Sequence, residues 1–354
     1  MLQRSGPKAV HDYDSGMDAT APSTLHLLGH FTELFTGAER ELLEIRHLVG
    51  ARRPVKIWSD VPVSAAYAGD AISSIQPFAR QYPANGVLLI AGVHMQAGVW
   101  LKYTKFERII LFYNLANHGQ LFAVIEDIRH ATGLEPELVF VSHMLQKSVG
   151  LPGQVIRSLM DIVPFTRLGE ERLAWNASGK SSGSGGQRKA LAVGRISRDA
   201  PDKHHPEDPA LYRMLASRGV RVRIMGGMCL APLLSGVEGI ELLPAGAMPA
   251  ADFYRSLDIF FYRTGASVEA YGRVVLEAMA SGLPVVAHSR GGYAEVVEDG
   301  ISGFLVHTQE QAWDTLMRLC ASVELRTDVG RAAMVQTFSL HGRDAMERDL
   351  AFYL

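Results

Sequence analysis

Two carboxylates, Glu269 and Glu277, stand eight residues apart in the segment SVEAYGRVVLEAMASGLPVV (267–286), with Gly272 between them. On one continuous helix they would lie about 12 Å apart along the axis and about 80° apart in rotation. Gly272 instead predicts a helix start, which leaves Glu269 in the preceding loop. Glu277 then falls on the helix, inside the run Val274, Val275, Leu276, Ala278, Met279. A carboxylate in such a run is costly to bury without a hydrogen-bonding partner. The backbone N–H groups that open the helix are free for an anion and suit a phosphate. Two acids flanking an anion site describe a polyhydroxylated ligand that carries a phosphate. Taken alone, a pair of helix carboxylates is more often solvated than functional.

These residues need a scaffold to converge, and the chain supplies one. TLHLLGHF, VKIWSDV, GVLLIAGV, RIILFYN and LVFVS read as apolar strands. Helical patterns fall between them, in AERELLEIRHLVG, near Ala97 to Tyr103, and from His118 to Thr132. Strands alternating with amphipathic helices predict a parallel sheet covered on both faces. NASGKSSGSGGQRK (176–189) breaks the rhythm with a Gly/Ser composition that marks a linker. Beyond it ALAVGRIS, VRIMGG, IELLPAG, IFFYR, LPVVAHS and GFLVH read as strands. Helices are expected at 209–218, 250–257, 272–281, 292–298 and 309–322. The division is a tail over 1–22, a first domain over 23–175, a linker over 176–188 and a second domain over 189–337. A last helical segment covers 338–354. Two α/β halves of this size predict a cleft between them, where ligands bind.

Composition narrows the function. The 354 residues carry 35 Lys plus Arg against 37 Asp plus Glu, so there is no basic excess of the kind nucleic-acid binders show. Cys229 and Cys320 cannot build a disulfide framework, and no Cys/His cluster has zinc spacing. No run of 18 apolar residues occurs and the first residues lack an apolar signal core, so a soluble, cytoplasmic protein is expected. Arg40, Arg46, Arg52, Arg53 and Lys56 surround the first helix and would favour anionic lipid at the inner face of a membrane. Glu39, Glu41 and Glu44 are interleaved with them, which fits a solvated face instead.

The wording around the two acids resembles the E-x7-E signature of family 4 (group 1) retaining glycosyltransferases. The match takes in Glu269, Tyr271-Gly272-Arg273, Leu276 to Ala280, Ser281 to Ala287, Gly291-Gly292, Glu295, Asp299-Gly300 and Gly303 to Val306. The resemblance implies the GT-B fold, two Rossmann-like βαβ domains facing across a cleft, with the final helix crossing back to the first domain. It implies that Glu269 meets the hydroxyls of the transferred sugar and that Glu277 holds the nucleotide ribose. Backbone N–H groups from Ala270 to Val274, including Gly272, Arg273 and Val274, would face the diphosphate. In LAVGRISRDAPDKH (191–204), Gly194-Arg195 and Lys203 match the positions that hold the departing diphosphate, and Arg198 is a further candidate. Judged alone, Arg198 and Lys203 would be solvated loop charges. Gly37 remains of the usual Gly-rich turn after the first strand, and His94 resembles a His that points into the cleft. An ordinary strand-to-helix turn and a structural His are the alternatives at those two places.

The chain departs from the family on the acceptor side. Asn114 stands where a second His is usual, with His118 out of register, and Val163-Pro164-Phe165-Thr166 replaces Asn-Gly-Val-Asp. His204 follows Lys203 where Gly is usual. The one Asp-x-Asp, Asp12-Tyr13-Asp14, lies in the tail, away from the expected cleft, so Arg, Lys and the helix terminus are expected to neutralise the leaving group without a metal. The expected function is retaining transfer of a sugar from a nucleotide-diphosphate-sugar donor to a glycan or lipid-linked acceptor, in the setting of bacterial surface polysaccharide or glycolipid synthesis. No cofactor beyond that co-substrate is expected. A nicotinamide oxidoreductase is disfavoured, because no strand leads into G-x-G-x-x-G. A non-catalytic subunit that binds nucleotide-sugar or glycan on the same fold is the alternative.

Overall fold

The computed structural model describes residues 22–32, 37–92, 98–115, 118–177 and 190–354. His94, nearly all of the tail and linker, and 33–36 of the turn around Gly37 lie outside the described residues. In the first half, strands β1 (Leu25–Gly29), β2 (Val55–Ser59), β3 (Ile72–Ser74), β4 (Asn85–Ala91), β5 (Lys105–Tyr113), β6 (Glu137–Phe140) and β7 (Gln154–Val155) form one parallel sheet in the order β3-β2-β1-β4-β5-β6-β7. Helices α1 (Gly37–Val49), α2 (His118–Thr132), α3 (His143–Val149) and α4 (Val163–Ala177) accompany it.

The second half repeats the plan. Strands β8 (Ala192–Ile196), β9 (Arg221–Met225), β10 (Ile240–Leu243), β11 (Ile259–Tyr262), β12 (Val285–His288) and β13 (Phe304–Val306) run parallel in the order β10-β9-β8-β11-β12-β13. Helices α5 (Asp208–Ser217), α6 (Ala231–Leu234), α7 (Ala250–Arg255), α8 (Arg273–Ala280) and α9 (Gln309–Ala321) belong to it, followed by α10 (Val323–His341) and α11 (Arg343–Leu350). Every residue of β1 and of β11 is buried, which is why these strands read as unbroken apolar runs rather than alternating ones. In each sheet the chain turns back at one place, between β1 and β4 and between β8 and β11. Such switch points open a crevice at the carboxyl ends of the strands.

Several elements differ from the sequence reading. Between 97 and 103 the described part is a short 3-10 turn, Val99–Tyr103, and Gly292–Glu295 is another. A helix that the sequence reading did not place runs from Val163: α4, whose covered face is Phe165, Leu168, Gly169 and Arg172. Two of those four positions carry Gly and Arg, so the apolar stripe that announces a helix is interrupted. α4 lies on α7, α8 and α10 of the second half. Arg172 fastens it, donating to the carbonyl oxygens of Ser281 (3.1 Å), Leu257 (2.8 Å) and Tyr254 (2.9 Å).

The chain end returns to the first sheet. Arg52 forms two 2.6 Å bonds to Glu347 in α11, and Arg53 donates to Tyr353 O at 3.0 Å. Arg46 is paired with Asp70. Much of the basic rim of α1 is therefore committed inside the protein. No helix among the described residues is long and apolar enough to cross a membrane.

α10 approaches the second sheet through small residues. A Cβ on Gly330 would lie 2.3 Å from Gly282 O, and one on Gly169 would lie 2.5 Å from Met334 Sδ. Gly330→Leu should therefore overpack this seam and destabilise the protein by about 1–3 kcal/mol, read as a lower urea midpoint at unchanged slope.

Candidate active site

Between the halves lies a cleft of ≈ 670 Å³. Its walls include Gly37, Arg40 and Asn114 from the first half and Arg198, Lys203 and Glu269 from the second. Lys203 and Glu269, sixty-six positions apart in the chain, meet there because β8 and β11 are neighbours and each is followed by a loop at the switch point. Lys203 Nζ donates to Glu269 Oε1 at 2.7 Å and to Ser267 Oγ at 3.0 Å. Tyr262, the last residue of β11, donates its hydroxyl to the same Oε1 at 2.7 Å. Burial alone would raise the Glu269 carboxyl. Lys203, the two hydrogen bonds and the field of Arg195 outweigh it and hold the group below the ordinary carboxylate range. Oε1 is thus saturated by protein, while Oε2 faces no donor among the described residues.

The loop after Glu269 leads into α8 through Gly272, whose φ of 87° lies in the left-handed region. A Cβ there would meet Tyr293 Cδ1 at 2.4 Å, so only glycine fits. The first bond of the helix runs from Val275 N to Gly272 O at 2.9 Å, which leaves the amides of Arg273 and Val274 at the open helix end. Gly272, Arg273 and Val274 all line the cleft. The Arg273 side chain turns the other way, to the first half. Its Nη1 donates to Ser158 Oγ at 2.7 Å and Leu159 O at 2.8 Å, and pairs with Glu41 at 3.1 Å. Burial pushes the Glu41 carboxyl up, against the opposing pull of Arg273, Ser158 and the Leu159 amide.

Glu277 is fully buried and is not part of the cleft wall. Its Oε2 accepts from Tyr254 at 3.0 Å. Its Oε1 lies 3.1 Å from Arg40 Nη2, an ion pair across the two halves, yet no N–H is aligned on it as a hydrogen bond. Arg40, 46% exposed, stands on the cleft side of that contact.

Arg195 has no exposed surface. It donates to Arg263 O at 2.7 Å and to Lys203 O, lies 4.7 Å over the Tyr262 ring, and stands 3.7 Å from Asp208. The resemblance would set it on a diphosphate; the structure sets it behind Lys203 and Tyr262, outside the cleft wall. Gly194 is a packing position, since a Cβ would lie 2.5 Å from Leu257 Cδ2. The Arg198 side chain is exposed at the cleft with no hydrogen bond or ion pair among the described residues. His204 is buried against Gly226 O at 2.9 Å, and burial followed by Arg195 lowers its pKa to about 4.

Sequence reasoning missed Tyr262, Ser267, Arg40 and the Glu41–Ser158 pair. Tyr262 had a signal in its place at a strand's carboxyl end. Ser267 acquires a role where two loops of the second half meet, and Arg40 and the Glu41–Ser158 pair acquire theirs only once the two halves meet. Asn114 lines the cleft with a buried Oδ1 that has no hydrogen-bond partner among the described residues. Among the described residues no three His, Cys, Asp or Glu side chains are grouped to hold a metal.

Two facing parallel sheets with the site at their switch points define the GT-B fold. Solved structures of that fold superpose over nearly the whole chain. Anabaena HepE in complex with UDP matches with a TM-score of 0.68 at 14% identity, covering 94% of this chain and 99% of that one. WaaG, a glycosyltransferase involved in lipopolysaccharide biosynthesis, matches with a TM-score of 0.62 at 15% identity, covering 93% and 99%. Residues 246–335 match the family described as Glycosyl transferases group 1, so this stretch carries the family signature that the wording around Glu269 and Glu277 resembles. D-inositol 3-phosphate glycosyltransferase of Paenarthrobacter aurescens is 38% identical over 92 residues, 25% of this chain and 22% of the relative. GDP-mannose-dependent alpha-mannosyltransferase of Mycobacterium tuberculosis is 34% identical over 120 residues, 33% and 30% respectively. The chain thus spans less than a third of the length of these curated relatives.

Lys203→Met should strand the Glu269 carboxylate and destabilise the protein by about 3 kcal/mol at neutral pH. The sign with pH follows from the depressed carboxyl of the parent, whose stabilisation is present above the unfolded value and lost as pH falls through the folded one. In the variant the carboxyl rises instead. The gap in melting temperature between the two proteins should therefore narrow from about pH 7 to about pH 4. A constant gap would mean that the two groups are not electrostatically coupled.

Proposed function

We propose that the protein is a retaining, metal-independent glycosyltransferase that moves a sugar from a nucleotide-diphosphate-sugar donor to a hydroxyl acceptor. The observation that carries this reading is the convergence of Lys203, Glu269 and the open end of α8 in one interdomain cleft. A cation, a carboxylate with one oxygen left over, and free backbone N–H groups answer the three parts of such a donor in order. Arg198, Lys203 and the amides of Arg273 and Val274 take the diphosphate. Glu269 Oε2 accepts from sugar hydroxyls and orients the ring, and Glu277 serves the ribose. As the bond from the anomeric carbon to the diphosphate oxygen breaks, these cations stabilise the charge on the leaving group. The acceptor oxygen forms its bond on the same face, and its proton passes to the departing phosphate. No carboxylate is assigned as nucleophile: Glu269 Oε2 is given to the sugar hydroxyls, and double displacement would need a carboxylate set against the anomeric carbon.

Other proteins support the reading: the family matched over 246–335 is described as Glycosyl transferases group 1, the relatives of Paenarthrobacter aurescens and Mycobacterium tuberculosis are named as glycosyl- and mannosyltransferase, and the neighbour HepE is solved with UDP and with UDP-glucose. Bacterial surface polysaccharide or glycolipid synthesis, with a glycan or lipid-linked acceptor at the cytoplasmic face of the membrane, is the proposed setting. A non-catalytic nucleotide-sugar or glycan-binding subunit is the second reading. It is favoured by the acceptor wall, where Asn114 replaces the usual His.

A calorimetric screen of UDP, GDP, ADP and CMP and their sugar conjugates, with and without EDTA, separates the two. One base binding equally in EDTA, with nucleotide released on adding acceptor, is the expected result; binding without release under any acceptor supports the subunit. Glu269→Gln should lower kcat about 100-fold with little change in nucleotide affinity, the scale for losing a substrate-positioning group. Glu277→Ala and Arg198→Ala should instead weaken donor binding by about 1–3 kcal/mol each. Anomeric configuration of the product, read by NMR, tests retention.

A further inference from the structure

The contact between Arg40 and Glu277 bears on how a donor enters. Glu277 is the buried acid to which the proposed function gives the ribose, and the role of Arg40 beside it rests on that reading. One of its oxygens, Oε2, is committed to Tyr254 at 3.0 Å. The other, Oε1, is buried with no aligned hydrogen bond, and the group facing it is Arg40 Nη2 at 3.1 Å. A buried carboxylate oxygen in this condition is an acceptor in search of a donor. Arg40 lines the cleft and Glu277 does not, so the guanidinium stands between that oxygen and the space a nucleotide would fill. Arg40 comes from α1 in the first half and Glu277 from α8 in the second, which makes the contact a tie between the domains.

We propose that Arg40 is a donor-site residue that works by exchange: its guanidinium holds Glu277 Oε1 until a ribose hydroxyl replaces it. The two partners compete for one oxygen, so the ion pair and the bound ribose exclude each other. Donor entry therefore breaks one interdomain tie and releases α1 from α8 at this point. The Arg273 cluster, one turn earlier on the same face of α8, remains. Arg40 can move because nearly half of its side chain is in solvent, whereas Glu277 is fixed by burial and by Tyr254.

The sign of the effect is unusual for an arginine in a site for a polyanion. Removing it should tighten nucleotide binding rather than weaken it. Arg40→Gln and Arg40→Lys would be titrated calorimetrically with UDP and GDP and with their 2′-deoxy counterparts, after thermal unfolding confirms that both variants fold. Whichever ribonucleotide the parent prefers should bind Arg40→Gln about two- to fivefold more tightly, the range for removing a part-exposed ion pair. Arg40→Lys should fall between. The gain should vanish with the deoxynucleotide.

Weaker binding by Arg40→Gln would overturn the exchange and make Arg40 a direct ligand of the phosphates. An equal gain with ribo- and deoxynucleotide would overturn it too. If the parent itself does not distinguish the two sugars, or binds neither nucleotide, the ribose role of Glu277 fails and the exchange fails with it. If the parent discriminates while Arg40→Gln gains nothing, the ribose role stands and only the exchange is lost.

Discussion

The arrangement of the molecule depends on one buried charge, the guanidinium of Arg273. It sits at the first position of α8, the helix whose open end faces the cleft, but it spends its donors on Ser158, Leu159 and Glu41 of the other domain. A charge removed from water is tolerated only where its partners are held in place. Here the partners come from α1 and from the segment before α4, so the seam between the domains is specified by chemistry rather than by shape alone. Ser142, whose hydroxyl reaches Ala270 O at 2.7 Å, and Glu295, which accepts from the amides of His143 and Met144, fasten the same seam nearby. The loop that carries Glu269 is consequently fixed between both halves.

Backing for the site comes from a second buried charge system. Arg195 and Arg263 are both fully buried, with Asp208 between them as a shared carboxylate. Arg195 pins the carbonyl of Lys203 and lies over Tyr262, the two groups that hold Glu269. It therefore sets the position and field of the cleft residues from behind, and its own field helps to keep Glu269 ionised. Arg198, three residues further along the chain and just past β8, is the cation of this segment that stands open to a ligand.

The two kinds of contact differ in what they allow. Arg273 and Arg195 are largely enclosed and bonded to fixed oxygens, Arg195 to two backbone carbonyls and Arg273 to Leu159 O, Ser158 Oγ and Glu41, which makes them fixed points. Arg40, nearly half exposed and joined to Glu277 without an aligned hydrogen bond, is the looser tie. A cleft held by rigid contacts at the helix end and a yielding one beside it can admit a ligand without losing its register.

The sequence by itself determined the inner strands, because in a doubly covered parallel sheet each must be apolar along its whole length, as in LHLLG and IFFY, whereas the short, partly exposed edge strands β3 and β7 carry no such run and were not legible. It also determined the loop-to-helix turn at Gly272, since a left-handed backbone against Tyr293 admits no side chain. Glu269 and Lys203 were legible through their family pattern, and β8 beside β11 explains why those distant positions belong together. α4 was not legible, because Gly169 and Arg172 occupy places where a lone helix would show apolar residues. Only the tertiary structure decided that Arg195 is enclosed while Arg198 is open, although they stand three residues apart, one near the end of β8 and one just beyond it. The same holds for Arg40 and Arg273: their partners lie more than 100 positions away, on the opposite domain. Local sequence encodes backbone conformation and burial, whereas the pairing of charges is settled where separate elements meet.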